Sequence, residues 1–149
     1  MAAKAEAVGV LKARLDTVTL FVLAVLAGAF ISLGAVFATT VSAGAGGLPF
    51  GPVRLMAGIA FSLGLILVIV GGAELFTGNA LIVMAWASRK VSSGSLLRNW
   101  TVVYAGNFVG ALATAGVMFV TGQYMFGKGS VGLAALTIGE GKASLDFVP

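Results

Sequence analysis

Long apolar runs separated by short polar or glycine-rich punctuation organise this chain. From Thr17 to Val41 there is no charged side chain, and the only charge between Arg54 and Arg89 is Glu74. Each interval is long enough for a helix of about 20 residues to cross hydrocarbon. The pattern predicts a first span over 17–41, a second segment over 55–88 and a third span over 100–120. Before them, residues 1–16 alternate small apolar and charged positions (Lys4, Glu6, Lys12, Arg14, Asp16), the pattern of a helix lying at the interface. Ser42 to Pro52 is rich in glycine and proline and reads as a loop.

The second segment is interrupted. Leu55 to Val70 makes about 24 Å of helix, short of a hydrocarbon core about 30 Å thick. A glycine-rich break then carries one acid, Ile69-Val70-Gly71-Gly72-Ala73-Glu74-Leu75-Phe76-Thr77-Gly78-Asn79, after which Asn79 to Ser88 supplies the rest of the crossing. Freed backbone groups and a carboxylate find no water in lipid, so such a break persists only where protein or a water-filled path surrounds it. An interrupted spanning helix of this kind points to a route for a solute. Close helix packing is expected at Ala24, Ala27, Gly28 and Gly34 in the first span and at the GxxxG formed by Gly106 and Gly110 in the third.

Composition narrows the function. Of 149 residues, 59% are hydrophobic and 9% charged, far from the roughly 25% charged residues of a soluble domain, so the chain is read as an all-α polytopic membrane protein. It holds no cysteine and no histidine, which removes thiolate chemistry, imidazole bases and the commonest metal ligands. No paired-carboxylate site can be drawn either, so no enzyme, no cofactor and no metal site is expected. The net charge of +4 is spread in small groups at span ends, which carries topology rather than a nucleic-acid footprint. Lys4, Lys12 and Arg14 precede the first span and Arg89, Lys90 and Arg98 follow the second, against Arg54 alone in the first loop, so the amino terminus is expected inside. Residues 121–149 then form an external, glycine-punctuated tail, with a short surface helix over Val131 to Ile138. Asp146-Phe147-Val148-Pro149 looks like the start of a further helix, as though the chain stopped mid-protein.

The break carries a hydrophobic pair, glycine, a small residue, an acid, Leu-Phe-Thr and a small residue. With Asn99-Trp100, Val103-Tyr104 and Gly106-Asn107-Phe108-Val109-Gly110-Ala111 of the third span, it resembles the formate/nitrite transporter family. Phe61-Ser62-Leu63-Gly64-Leu65-Ile66-Leu67 is closer to its formate-channel branch than to the nitrite or hydrosulfide branches. The resemblance implies an aquaporin-like channel of six spans in two inverted halves, of which this chain matches the amino-terminal half. It also implies five protomers, each with its own pore, in the bacterial cytoplasmic (inner) membrane. A single half leaves the site open on one side.

By position, the resemblance makes Leu75 and Phe76 a cytoplasmic-side constriction, Phe61 and Leu65 an external-side hydrophobic collar, and Thr77 a hydrogen-bonding stop beside Glu74. Lys12 and Lys142 become vestibule charges that gather anions. The implied activity is transport of a small monovalent anion, formate first and nitrite, hydrosulfide or lactate next, with a proton assisting passage. The other class of reading is a non-conducting membrane assembly subunit that keeps the packing surfaces and lacks the second half of the pore. Each residue also has a plainer role. Glu74 can accept hydrogen bonds from amides of its own loop and hold its shape. Thr77 can cap the half-helix that follows, and the lysines can snorkel at the interface.

Overall fold

The computed structural model describes residues 2–145; the helix start expected at Asp146 to Pro149 lies outside them. The elements in chain order are α1 (Ala2–Ala13), α2 (Thr17–Ser42), α3 (Phe50–Val70), α4 (Phe76–Asn79), α5 (Ile82–Ala87), α6 (Ser93–Val120), a single 3₁₀ turn (Gln123–Met125) and α7 (Ser130–Ala143). The fold is all-helical, and α2, α3 and α6 are long and apolar enough to cross a membrane.

Local chemistry sets the helix ends. Asp16 begins α2, its Oδ1 accepting from the amides of Val18 and Thr19 at 3.1 and 3.0 Å. Ser92 begins α6, its Oγ accepting from the Ser95 amide at 3.2 Å. Each hydroxyl or carboxylate satisfies a first-turn donor that has no partner within its helix. The helix α3 starts at Phe50, five residues before the sequence reading placed it, and spans 21 residues, about 31 Å. Pro52 therefore falls in its first turn, where a missing N–H costs nothing because that donor is unpaired in any case. The break thus follows a helix longer than the sixteen residues counted from Leu55 to Val70. Similarly α6 begins at Ser93 rather than Trp100, and α7 extends to Ala143, beyond the short helix expected at 131–138.

Helix α2 is the central element. α6 runs parallel to it, with Arg98 bonded to Thr17 at one end and Gln123 bonded to Thr40 at the other. α3 runs back antiparallel, with Gly64 against Gly34, and Val68 and Ala73 packed with Ala27. Both crossings depend on absent side chains. A Cβ on Gly28 would strike the backbone carbonyl of Asn107, and one on Gly110 would strike that of Val25. A Cβ on Gly106 would sit 2.5 Å from that of Ala24. In lipid there is no hydrophobic drive between helices, so this close backbone approach is what gives α2 and α6 their attraction.

Candidate functional site

The break is built from the termination of α3. Gly72 takes the left-handed conformation at φ 62°. Its amide donates to the Ile69 carbonyl at 3.3 Å, and the Ala73 amide donates to the Val68 carbonyl at 3.0 Å. This paired closure satisfies carbonyls that the helix end would leave open, and it requires a residue without a Cβ at the turning position. The chain then crosses to α2, where the Glu74 amide donates to the Leu23 carbonyl at 3.2 Å. From the start of α2 to Ala24 is about 10 Å of helix, so the break lies within the apolar span rather than at its edge.

Glu74 is almost fully buried, and its carboxylate is matched by one cation. Lys12 from α1 places Nζ 2.8 Å from both Oε1 and Oε2 of Glu74 and 3.1 Å from Oδ1 of Asn79. Asn79 in turn donates from Nδ2 to Oδ1 of Asn99 at 3.0 Å, and Asn99 donates back to the Lys12 carbonyl at 3.1 Å. The ring closes through three residues, Lys12 of α1, Asn79 of the break and Asn99 of α6, with Glu74 attached to it through Lys12. Both asparagines are fully buried, and among the described residues every buried side-chain polar atom has a partner. An ion pair removed from water holds together only with such additional hydrogen bonds.

One face of α6 presents a second ladder. Trp100 donates from Nε1 to the Asn79 carbonyl at 3.1 Å. Its ring and that of Tyr104 flank the Phe76 ring at centroid distances of 6.2 and 5.8 Å. One turn further on, Asn107 donates from Nδ2 to the carbonyls of Ala24 at 2.8 Å and Glu74 at 2.9 Å, and its Oδ1 accepts from the Phe76 amide at 2.9 Å.

The candidate residues divide among these surroundings. Glu74, Leu75, Thr77, Leu65 and Lys12 line one open cavity of about 360 Å³ beside the break. Thr77 is exposed on it, and among the described residues its hydroxyl has no hydrogen-bond partner. Phe61 lies one helical turn before Leu65 on α3, partly exposed. Phe76 turns away from the cavity toward Trp100 and Tyr104. Lys142 is exposed in the last turn of α7, beyond the far end of α6. The plainer roles of Glu74 and Thr77 take a different form from the expectation. Lys12, not the amides of its own loop, meets the Glu74 carboxylate, and Asn79 holds the same ammonium. Leu75, not Thr77, occupies the capping position before α4, which begins at Phe76, and Asn107 from α6 accepts from the Phe76 amide in place of a capping side chain.

The asparagines are what the sequence reading passed over. Asn79, Asn99 and Asn107 were legible as amides inside apolar segments, where an unpaired polar group is costly. The partners they find were not, because those lie 20 to 87 residues away in sequence.

A second clasp ties α1 to the end of α5. Glu6 accepts from Lys90 Nζ and from Ser88 Oγ, and the hydrogen bond from Lys90, then that from Ser88, holds its carboxyl below the ordinary carboxylate value. A Cβ on Gly9 would lie 3.2 Å from that of Ala85, so α1 rests directly on α5. Among the described residues no group of three His, Cys, Asp or Glu side chains converges that could hold a metal ion. The chemistry available is therefore a neutralised buried carboxylate, one free hydroxyl and apolar walls.

Comparison with known proteins places this arrangement. A model of the formate/nitrite transporter family matches residues 1–149. The formate channel FocA of Escherichia coli K12 is 46% identical over 148 residues, which is 99% of this chain and 52% of that protein. The probable formate transporter of Methanothermobacter thermautotrophicus is 36% identical, over 93% of this chain and 51% of its own length. A solved structure, a pentameric formate channel with formate bound, superposes with a TM-score of 0.83 at 45% identity, covering 89% of this chain and 52% of that one. The chain spans about half the length of the curated relatives it matches.

Proposed function

The chain belongs to the formate/nitrite transporter family, and from that premise we propose that it builds one side of a pathway carrying small monovalent anions, formate foremost and nitrite next, across the bacterial cytoplasmic membrane. The amino terminus is cytoplasmic in this reading, because Lys4, Lys12, Arg14, Arg89, Lys90 and Arg98 gather at the end of the bundle where α2 begins. The assembly is a homopentamer, by analogy with the pentameric formate channel to which the fold is similar.

The observation that carries the proposal is the cavity at the break, where a free Thr77 hydroxyl stands beside a carboxylate already neutralised by Lys12. An unmatched Glu74 would repel an anion; the ion pair removes that obstacle. Lys12 then serves the anion by cancelling Glu74, and Lys142 serves it as a steering charge at the external side. Leu65 and Phe61 on one side and Leu75 on the other are apolar narrowings that disfavour a hydrated ion, and Phe76, packed on Trp100 and Tyr104, supports this second narrowing from behind. Proton uptake lets the weak acid pass as a neutral molecule, with Thr77 offering a transient hydrogen bond on the way. The reaction is translocation, and no covalent bond is made or broken.

Formate uptake into vesicles reconstituted with the purified protein tests the proposal. Thr77→Val keeps the shape and removes the hydroxyl, and the expected loss of flux is about tenfold, the weight of one hydrogen bond made to a desolvated anion. Full flux in Thr77→Val would remove the role assigned to this hydroxyl. Absence of formate flux when this chain is reconstituted together with the other side of the pathway would remove the transport reading itself.

A further inference from the structure

Asn107 has no part in the anion path described above and does not line its cavity. Its bonds nevertheless meet the backbone on both sides of Leu75. The carbonyl just before Leu75, that of Glu74, accepts from Asn107 Nδ2, and the amide just after it, that of Phe76, donates to Asn107 Oδ1. Leu75 itself is extended, at φ −95° and ψ 134°. A carboxamide facing an extended residue in this way imitates a neighbouring β-strand, offering one donor and one acceptor at the spacing that a backbone would. The orientation of the amide is fixed, because two carbonyls face its nitrogen and one N–H faces its oxygen.

The anchor behind it is rigid. The remaining Nδ2 hydrogen goes to the Ala24 carbonyl of α2 at 2.8 Å. The α2–α6 crossing at that level is held by Gly28 and Gly110, where any Cβ would strike the opposing backbone. Asn107 cannot shift along α6 relative to α2, so the segment it holds cannot shift either. Hydrocarbon around the bundle offers no polar group to replace the lost partners. We infer that Asn107 is the positioning residue of the break, a side-chain strand partner that sets the height and rotation of Leu75, Phe76 and Thr77 against the central helix. Its consequence for flux rests on the transport reading above; its consequence for the geometry of the segment does not.

The chain contains no cysteine, so Thr77→Cys supplies a single thiol as a reporter. Its rate of modification by a small charged thiol reagent is measured in lipid vesicles, with Asn107 intact, with Asn107→Leu and with Asn107→Asp, each rate taken relative to the Asn107-intact reporter at the same pH. Asn107→Leu removes all three bonds and is expected to raise the relative rate about tenfold, the change expected when a buried bond that opposes local opening is lost. Asn107→Asp is expected to raise it at neutral pH, where a carboxylate faces two carbonyls, and to return toward the parent rate on acidification, when protonation restores one donor. That reversal, followed up and down in pH on one sample, is a readout that a general loss of folding does not give, and it decides the matter if Asn107→Leu fails to fold. A relative rate within about twofold of the parent for folded Asn107→Leu, smaller than the effect of one net hydrogen bond, overturns the inference. So does an Asn107→Asp effect that ignores pH. Formate flux measured with Thr77 in place separates the two claims: a shifted labelling rate in a protein that carries no formate keeps the positioning role and discards the transport reading.

Discussion

The α2–α6 crossing and the α3–α5 break lie side by side in the same bundle, yet opposite means hold them. At the crossing, Gly28, Gly106 and Gly110 let backbones touch, and the interface is specified by what is missing. At the break, Lys12, Asn79, Asn99, Trp100 and Asn107 supply donors and acceptors one by one. Shape suffices where each helix satisfies its own backbone internally. Where the helix is interrupted, the freed groups need partners of fixed polarity, and neighbouring helices provide them. The two regions meet at Asn107, whose backbone carbonyl packs on Gly28 while its side chain serves the break.

The largest expected effect is at the crossing. Gly110→Leu drives a branched side chain into the Val25 carbonyl, and no rotamer avoids backbone. The cost is more than about 4 kcal/mol, in the range that marks gross overpacking of a core, and folded protein should be lost in gel-filtration and thermal-unfolding assays in detergent. A well-folded Gly110→Leu protein would show that α2 and α6 do not meet as described.

Next comes the ion pair. Lys12→Ala leaves Glu74 buried and charged without its partner, at a cost of about 3 kcal/mol. Adding Glu74→Gln removes the orphaned charge, so the double variant should regain most of that loss. A thermal-unfolding double-mutant cycle measures this, and strict additivity of the two changes would deny the coupling.

The clasp at Glu6 is weaker because it is exposed. Its carboxyl is held below the ordinary value of 4.5, so its support for α1 is present above that pH and is lost as pH falls through the lowered value. Amide hydrogen exchange in α1 should accelerate over that acidic window in the parent and show no such step in Glu6→Gln. Equal steps in both proteins would assign the acid response to another group.

Smallest is the effect at Arg89, a non-glycine residue at φ 58° that ends α5 as Gly72 ends α3. The Arg89 amide donates to the Trp86 carbonyl at 2.8 Å and the Lys90 amide to the Ala85 carbonyl at 2.9 Å, repeating the closure at Gly72. A side chain in this conformation costs roughly 1 kcal/mol, so Arg89→Gly should raise thermal stability slightly, by less than that amount once the greater freedom of the unfolded chain is included. A clear loss of stability would mean that the guanidinium makes a contribution of its own.

The amino-acid sequence alone determined that the chain is helical and membrane-embedded, that its second segment breaks at Gly71 to Gly78, and that Glu74 sits in that break. These follow from local quantities: the length of uncharged runs, the conformational freedom of glycine and the cost of a charge in an apolar stretch. The start of α3 at Phe50 was less legible, because glycine and proline normally mark a loop and are here absorbed into a first helical turn that tolerates them. Tertiary structure decided what surrounds the break. Lys12 was readable as a vestibule cation and Asn107 as one residue of a packing motif; only the folded chain brings the first onto Glu74 and the second onto the backbone beside Leu75. The difference is physical. A span announces itself through the sum of its own residues' transfer energies, whereas a hydrogen bond between residues 31 or 62 positions apart exists only once α1, α2 and α6 have packed and excluded the water that would otherwise serve in its place.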